Sequence, residues 1–102
     1  ELHPLLMFEM RDDQTIPNSS TDALIAAASL TKATAIGPNP VSAGAGAFTL
    51  FTVGNHGTLL SPAGSLAATV EMQTQAVLFG VTAAQPGGPF VVITDPTVLD
   101  LD

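Results

Sequence analysis

The chain has 102 residues, nine acidic against two basic, a formal net charge of −7, and no cysteine, tyrosine or tryptophan. That length points to one domain over residues 1–102, the missing cysteines exclude a disulfide framework or a thiolate metal site, and the negative charge disfavours nucleic acid and anionic membranes as partners. No run approaches the roughly 18 apolar residues of a membrane-spanning helix, and the first residues lack the basic-then-apolar order of a signal peptide, so the chain reads as soluble, and its start at Glu1 fits either a mature form from which a leader was removed or a trimmed sequence.

Residues 4–10, an apolar run closed by Arg11, Asp12 and Asp13, read as a first strand or as an extended arm within residues 1–12. Pro17, Asn18, Ser19 and Ser20 favour a loop, and Thr21 or Asp22 is placed to cap a helix. Residues 23–36 are ambiguous, because the alanines favour a helix while Leu24, Ala26, Ala28 and Leu30 alternate with a period of two. The expectation is one short helix near residues 22–32. Gly37, Pro38, Asn39 and Pro40 read as a break, and Gly44 to Gly46 as a flexible approach to the next element.

From Ala47 the β signal strengthens. Residues 47–53 are rich in β-branched and aromatic side chains and end at Gly54, Asn55, His56 and Gly57. Residues 65–72 alternate, with Leu66, Ala68, Val70 and Met72 on one face and Ser65, Ala67, Thr69 and Glu71 on the other. A turn at Gln73 and Thr74 leads to a further strand over 75–83, with Gly80 at a bulge or a close neighbour. After the break at residues 85–89, strands are expected at 90–94 and 98–101. Short strands between Gly/Pro turns predict an all-β fold, a small antiparallel β-sandwich.

Phe51-Thr52-Val53, Asn55-His56-Gly57-Thr58, Ser61-Pro62-Ala63-Gly64-Ser65 and Ala68-Thr69-Val70 form a strand-turn-strand pattern. The pattern is similar to Ig-like and jelly-roll subunits of extracellular microbial fibres and coats, and covers about half the chain. The resemblance implies a two-sheet sandwich that polymerises. Such subunits often carry a terminal arm, a role that falls here on Leu2, Leu5, Leu6, Phe8 and Met10, inserted against the exposed sheet edge of a neighbour.

Chemistry-bearing groups are sparse. His3 and His56 are the two imidazoles, and neither adjoins a serine motif; Gly64-Ser65 lacks the Gly-x-Ser-x-Gly elbow. No catalytic residue is assigned, and an exposed turn is the expected place for His56. Asp12, Asp13, Asn18 and Asp22 supply oxygen ligands within one segment, but their spacing departs from a calcium loop, so no metal site is assigned. The glycine clusters lack the lysine or acidic partner of a phosphate loop, and no cofactor is expected. Asn18-Ser19-Ser20 satisfies the N-glycosylation pattern at Asn18.

The placement of charge carries the functional expectation. Lys32 is the last basic residue, and Glu71 is the only charged residue between Ala33 and Thr94. An ordinary surface is about a quarter to a third charged, so this span is either covered by neighbours or keeps an exposed face of Thr, Ser, Gln and Asn, and of the two the expectation is assembly. The expected function is a structural, self-assembling subunit of an extracellular filament, surface layer or viral particle, not an enzyme, with copies of itself or a particle lattice as partner. It would work outside the cell, on a cell surface or on a virion. The alternative is a decoration or cement protein on a viral capsid, and behind it a small binding domain or hydrolase.

Overall fold

A computed structural model describes residues 4–41 and 46–102. The order of elements is β1 (Leu5–Met10), α1 (Asn18–Ala27), β2 (Leu30–Lys32), β3 (Gly37–Pro40), β4 (Gly46–Phe51), α2 (Leu66–Thr82), β5 (Phe90–Ile93), a 3-10 turn (Pro96–Val98) and β6 (Leu99–Asp100). This is an α/β fold and corrects the expected all-β sandwich of Ig-like or jelly-roll type.

The larger sheet is built on β4. β1 runs parallel to it along its whole length, from Leu5 opposite Gly46 to Met10 opposite Phe51. The other side of β4 is shared end to end. β2 pairs parallel with its first half, and β6 pairs antiparallel with Leu50 and Phe51. Parallel pairing needs a crossover, which α1 supplies between β1 and β2. β3 and β5 form a separate antiparallel pair. Residues 37–40, expected as a break, instead form β3, because a two-stranded sheet leaves that strand an open edge where proline costs no ladder bond.

The decisive correction concerns residues 65–83, expected as two strands around a turn and found as the single helix α2 with Gln73 and Thr74 in its middle. Ser65 has extended backbone and its hydroxyl accepts the Ala68 N–H at 3.1 Å, which starts the helix. Seventeen residues without proline, including Ala67, Ala68, Glu71, Met72, Gln73, Gln75 and Ala76, then sustain it. The inward stripe is Ala68, Met72, Gln75, Phe79 and Thr82, at alternating steps of four and three. Leu66 and Val70, expected to share the core face of a strand with Ala68 and Met72, point outward.

α1 begins at Asn18, three to four residues before the expected caps, and stops at Ala27, where Ser29 adopts a positive φ of 55° and the chain enters β2. The core gathers Met10, Val41, Phe51, Met72, Val91, Ile93, Val98 and Leu99, with Leu6, Phe8 and Leu59 packed against it. Phe8 meets Phe51 edge-on, ring centroids 5.9 Å apart.

The run expected to serve as an arm is β1, hydrogen-bonded to its own chain. Leu6, Phe8 and Met10 face the core, Leu5 is 45% exposed, and Leu2 and His3 lie outside the described residues.

Candidate functional site

Three groupings of side chains stand out beyond the apolar core. The first lies where β1 and β4, running parallel, deliver their carboxyl ends to one edge of the sheet. In open α/β sheets this edge is the usual place for ligand crevices. Gly54 holds a φ of 112°, and a Cβ there would stand 2.5 Å from Thr58 Oγ1 and 3.1 Å from Met10 Cε. Only glycine lets the chain turn so closely over the end of β1, and that turn carries His56 to Asp13. Asp13 accepts the N–H groups of Thr15 and Ile16 at 2.7 and 2.9 Å, and meets His56 Nδ1 at 2.8 Å. The hydrogen bond from His56, helped by those two backbone donors, holds the Asp13 carboxyl below its ordinary range. With Asp13 ionised, Nδ1 is the donor and Nε2 is left free. His56, expected as an isolated turn residue, is therefore half of an imidazole–carboxylate pair.

Glu9 sits beside this pair on the last turn of the alternation in β1, and is only 5% exposed. Asn18 donates its side-chain N–H to Glu9 Oε2 at 3.2 Å and to the Met10 carbonyl at 2.7 Å. Burial, reinforced by the adjacent Asp22 carboxyl, pushes Glu9 up to about 7, against the smaller opposing effects of Asn18 and Lys32. The Asn18 side-chain nitrogen, which stands in the N-glycosylation pattern, is engaged with both these oxygens. A cavity of about 230 Å³ opens here between Phe8, Leu59 and Met72 on one side and Asp13, Asn55 and His56 on the other. Among the described residues no three His, Asp or Glu side chains converge as metal ligands would.

The second grouping is wholly internal. Glu71, expected on the outer face of a strand, is 1% exposed. One carboxylate oxygen accepts the Asp95 N–H at 2.8 Å and the Thr94 hydroxyl at 2.5 Å, and the other accepts Gln75 Nε2 at 2.6 Å. The Thr94 N–H reaches both oxygens at 3.2 and 3.3 Å. Gln75 Oε1 in turn accepts the Thr49 hydroxyl at 2.9 Å. The chain of bonds ties α2 to β4 and to the segment after β5, so its role is structural. No sequence signal marked it, since a lone glutamate in an alternating run reads as solvent-facing.

The third is the outer face of α2. Leu66, Val70, Val77 and Val81 are 66%, 54%, 62% and 57% exposed, with Gln73 and Thr74 between them. Val70, Gln73, Thr74, Val77 and Leu78 line a shallow groove of about 320 Å³. Glu71 being turned inward, this face bears no charge. Both basic residues are occupied elsewhere: Lys32 Nζ lies 3.1 Å from Asp100 and 2.8 Å from the Asp102 carbonyl, and Arg11 pairs with the other Asp100 oxygen.

No protein-family model, curated protein or solved structure matches the chain.

Proposed function

We propose that the protein is a self-associating structural subunit and that a second copy of the chain covers the outer face of α2. The observation that carries this reading is the strip of Leu66, Val70, Val77 and Val81, all more than half exposed on one uncharged helix face. A helix apolar on all sides belongs in an interior, and the protomer buries only one side of this one.

Charge selects the occupant. A basic partner would find no carboxylate on the strip to pair with, and an acidic partner would find no cation. A second copy brings a surface of the same neutral, apolar kind, and it keeps two molecules of net charge −7 in contact where neither carries charge.

Burying what remains exposed of each aliphatic side chain is worth on the order of 1 kcal/mol, so the four from each copy contribute roughly 8 kcal/mol before the cost of association is subtracted. The expected pair is therefore weak to moderate. Sedimentation velocity from about 10 μM to 1 mM, the range in which such energies show, should reveal concentration-dependent association that tightens as salt screens the net charge. Val77→Asp should leave a folded monomer. A wild-type chain that stays strictly monomeric across this range would sink the proposal.

A further inference from the structure

We infer that two α2 helices pair antiparallel about a two-fold axis that passes between Gln73 and Thr74, an arrangement that rests on the self-association proposed above. The spacing of the strip is the ground for it. Leu66 and Val81 lie equally far on either side of the midpoint between Gln73 and Thr74, and so do Val70 and Val77. An antiparallel pair centred there sets Leu66 level with the partner's Val81 and Val70 level with the partner's Val77, while the short polar zone at the middle meets itself. A two-fold interface has to be self-complementary in this way, and the strip is so along its whole length. Gly80, beside the strip, would meet nothing within 4 Å if it carried a Cβ, so the protomer itself leaves that flank open to an approaching helix.

A parallel pair would also match apolar side chains, and electrostatics separates the two. The acidic edge of the fold is attached to the N-terminal half of α2. The Asp95 N–H bonds to Glu71, the Thr58 and Ser61 carbonyls bond to Thr69, and the loop that holds Thr58 also holds His56 against Asp13. The C-terminal half packs instead near Phe90, through Thr82. Parallel helices would set two acidic edges side by side. Antiparallel helices put them at opposite ends of a contact about 22 Å long, well beyond the screening length of roughly 8 Å in physiological salt. The helix dipoles also oppose in that arrangement.

The absence of cysteine from the chain makes the register directly testable by single-cysteine variants under mild oxidation, each first checked by circular dichroism for an intact fold. Mixing Val70→Cys with Val77→Cys, and Leu66→Cys with Val81→Cys, should give covalent mixed dimers at least several-fold faster than any variant alone. Val81→Cys alone should remain uncrosslinked, because its two copies would be separated by about 22 Å along the axis, far outside the roughly 4.4–6.8 Å Cα spacing of a disulfide. Spin labels at position 81 should report the same long separation. Rapid crosslinking of Val81→Cys with itself, or mixed pairs no faster than the single variants, would overturn the antiparallel register while leaving association standing. A monomeric wild type would overturn both.

Discussion

Replacing Glu71 by alanine tests the internal bond chain directly. The substitution removes the acceptor for four donor groups: the Thr94 and Asp95 N–H groups, the Thr94 hydroxyl and the Gln75 amide. Thr94 is exposed, so its hydroxyl can turn to water, whereas Gln75 is fully buried and its side-chain nitrogen bonds only Glu71 among the described residues. An unsatisfied buried donor costs about 1–3 kcal/mol, and the truncation strands both the Gln75 amide and the Asp95 N–H while leaving a cavity where the carboxylate stood. We therefore expect Glu71→Ala to lose about 3–5 kcal/mol, a large part of the roughly 5–15 kcal/mol that holds a domain of this size. At about 4–8 °C per kcal/mol, Tm should fall by roughly 12–40 °C. Glu71→Gln keeps the shape but sets an NH₂ group against donors, and should cost about 1–3 kcal/mol. Without tyrosine or tryptophan, the measurement is urea and thermal unfolding followed by circular dichroism at 222 nm. A Glu71→Ala protein within 1 kcal/mol of wild type would refute the argument that this network ties α2 to the sheet.

Two further outcomes follow from the same geometry. Thr69, 5% exposed, donates its hydroxyl toward the Thr58 and Ser61 carbonyls at 2.7 and 3.0 Å; Thr69→Asp should therefore cost more than about 3 kcal/mol, because a carboxylate cannot donate and is expensive to bury, while Val70→Asp on the exposed side should change unfolding by less than about 0.5 kcal/mol. Glu9 is raised from 4.5 to about 7, so the folded state holds more protons than the unfolded state between those values, and stability should fall as pH rises through that window. Asp13 and Asp100 are lowered, so their stabilisation is present above the ordinary carboxylate range and is lost as acid protonates them; Glu9→Gln should flatten the pH 4.5–7 slope in a melting series and leave the acid limb in place.

What the sequence disclosed followed from how each segment is buried. Residues 47–53, 90–94 and 98–101 have the β-branched and aromatic character of strands; β5 and β6 lie within the last two, and β4 overlaps the first, starting one residue earlier at Gly46 and ending at Phe51. β4 is the central strand, with Ala47, Thr49 and Phe51 buried and Phe48 and Leu50 half-buried, so its signal is the strongest. Residues 65–83 misled for a definite reason. A helix declares itself by a polar stripe opposite an apolar one, and α2 has apolar residues inward at Ala68, Met72 and Phe79 and outward at Leu66, Val70, Val77 and Val81. Its one charge is turned inside. With no polar face to set the period, the chance alternation at 66, 68, 70 and 72 and the β-branched Thr69, Val70, Thr74, Val77 and Val81 gave a strand pattern. The edge cluster was hidden for another reason. Glu9 and Asp13 lie at the end of β1 and in the turn after it, His56 lies beyond β4, and the parallel pairing of β1 with β4 brings the two loops together.

The scarcity of charge between Ala33 and Thr94 acquires a physical meaning in this fold. The span contributes β3, β4, α2 and β5, and its single charged side chain, Glu71, is consumed as a buried acceptor. The described carboxylates of Asp12, Asp13, Asp22, Asp95, Asp100 and Asp102 all belong to segments before or after the span, so acidity is confined to the strand ends and to α1. The acidic groups and the exposed apolar strip thereby occupy different parts of one small surface. A charge placed anywhere on the outer strip of α2 would leave the inward stripe and the Glu71 bonds untouched, and would therefore be tolerated by the isolated fold. Folding of the protomer thus gives no reason for four exposed aliphatic residues to stand there, and burial against a like face does.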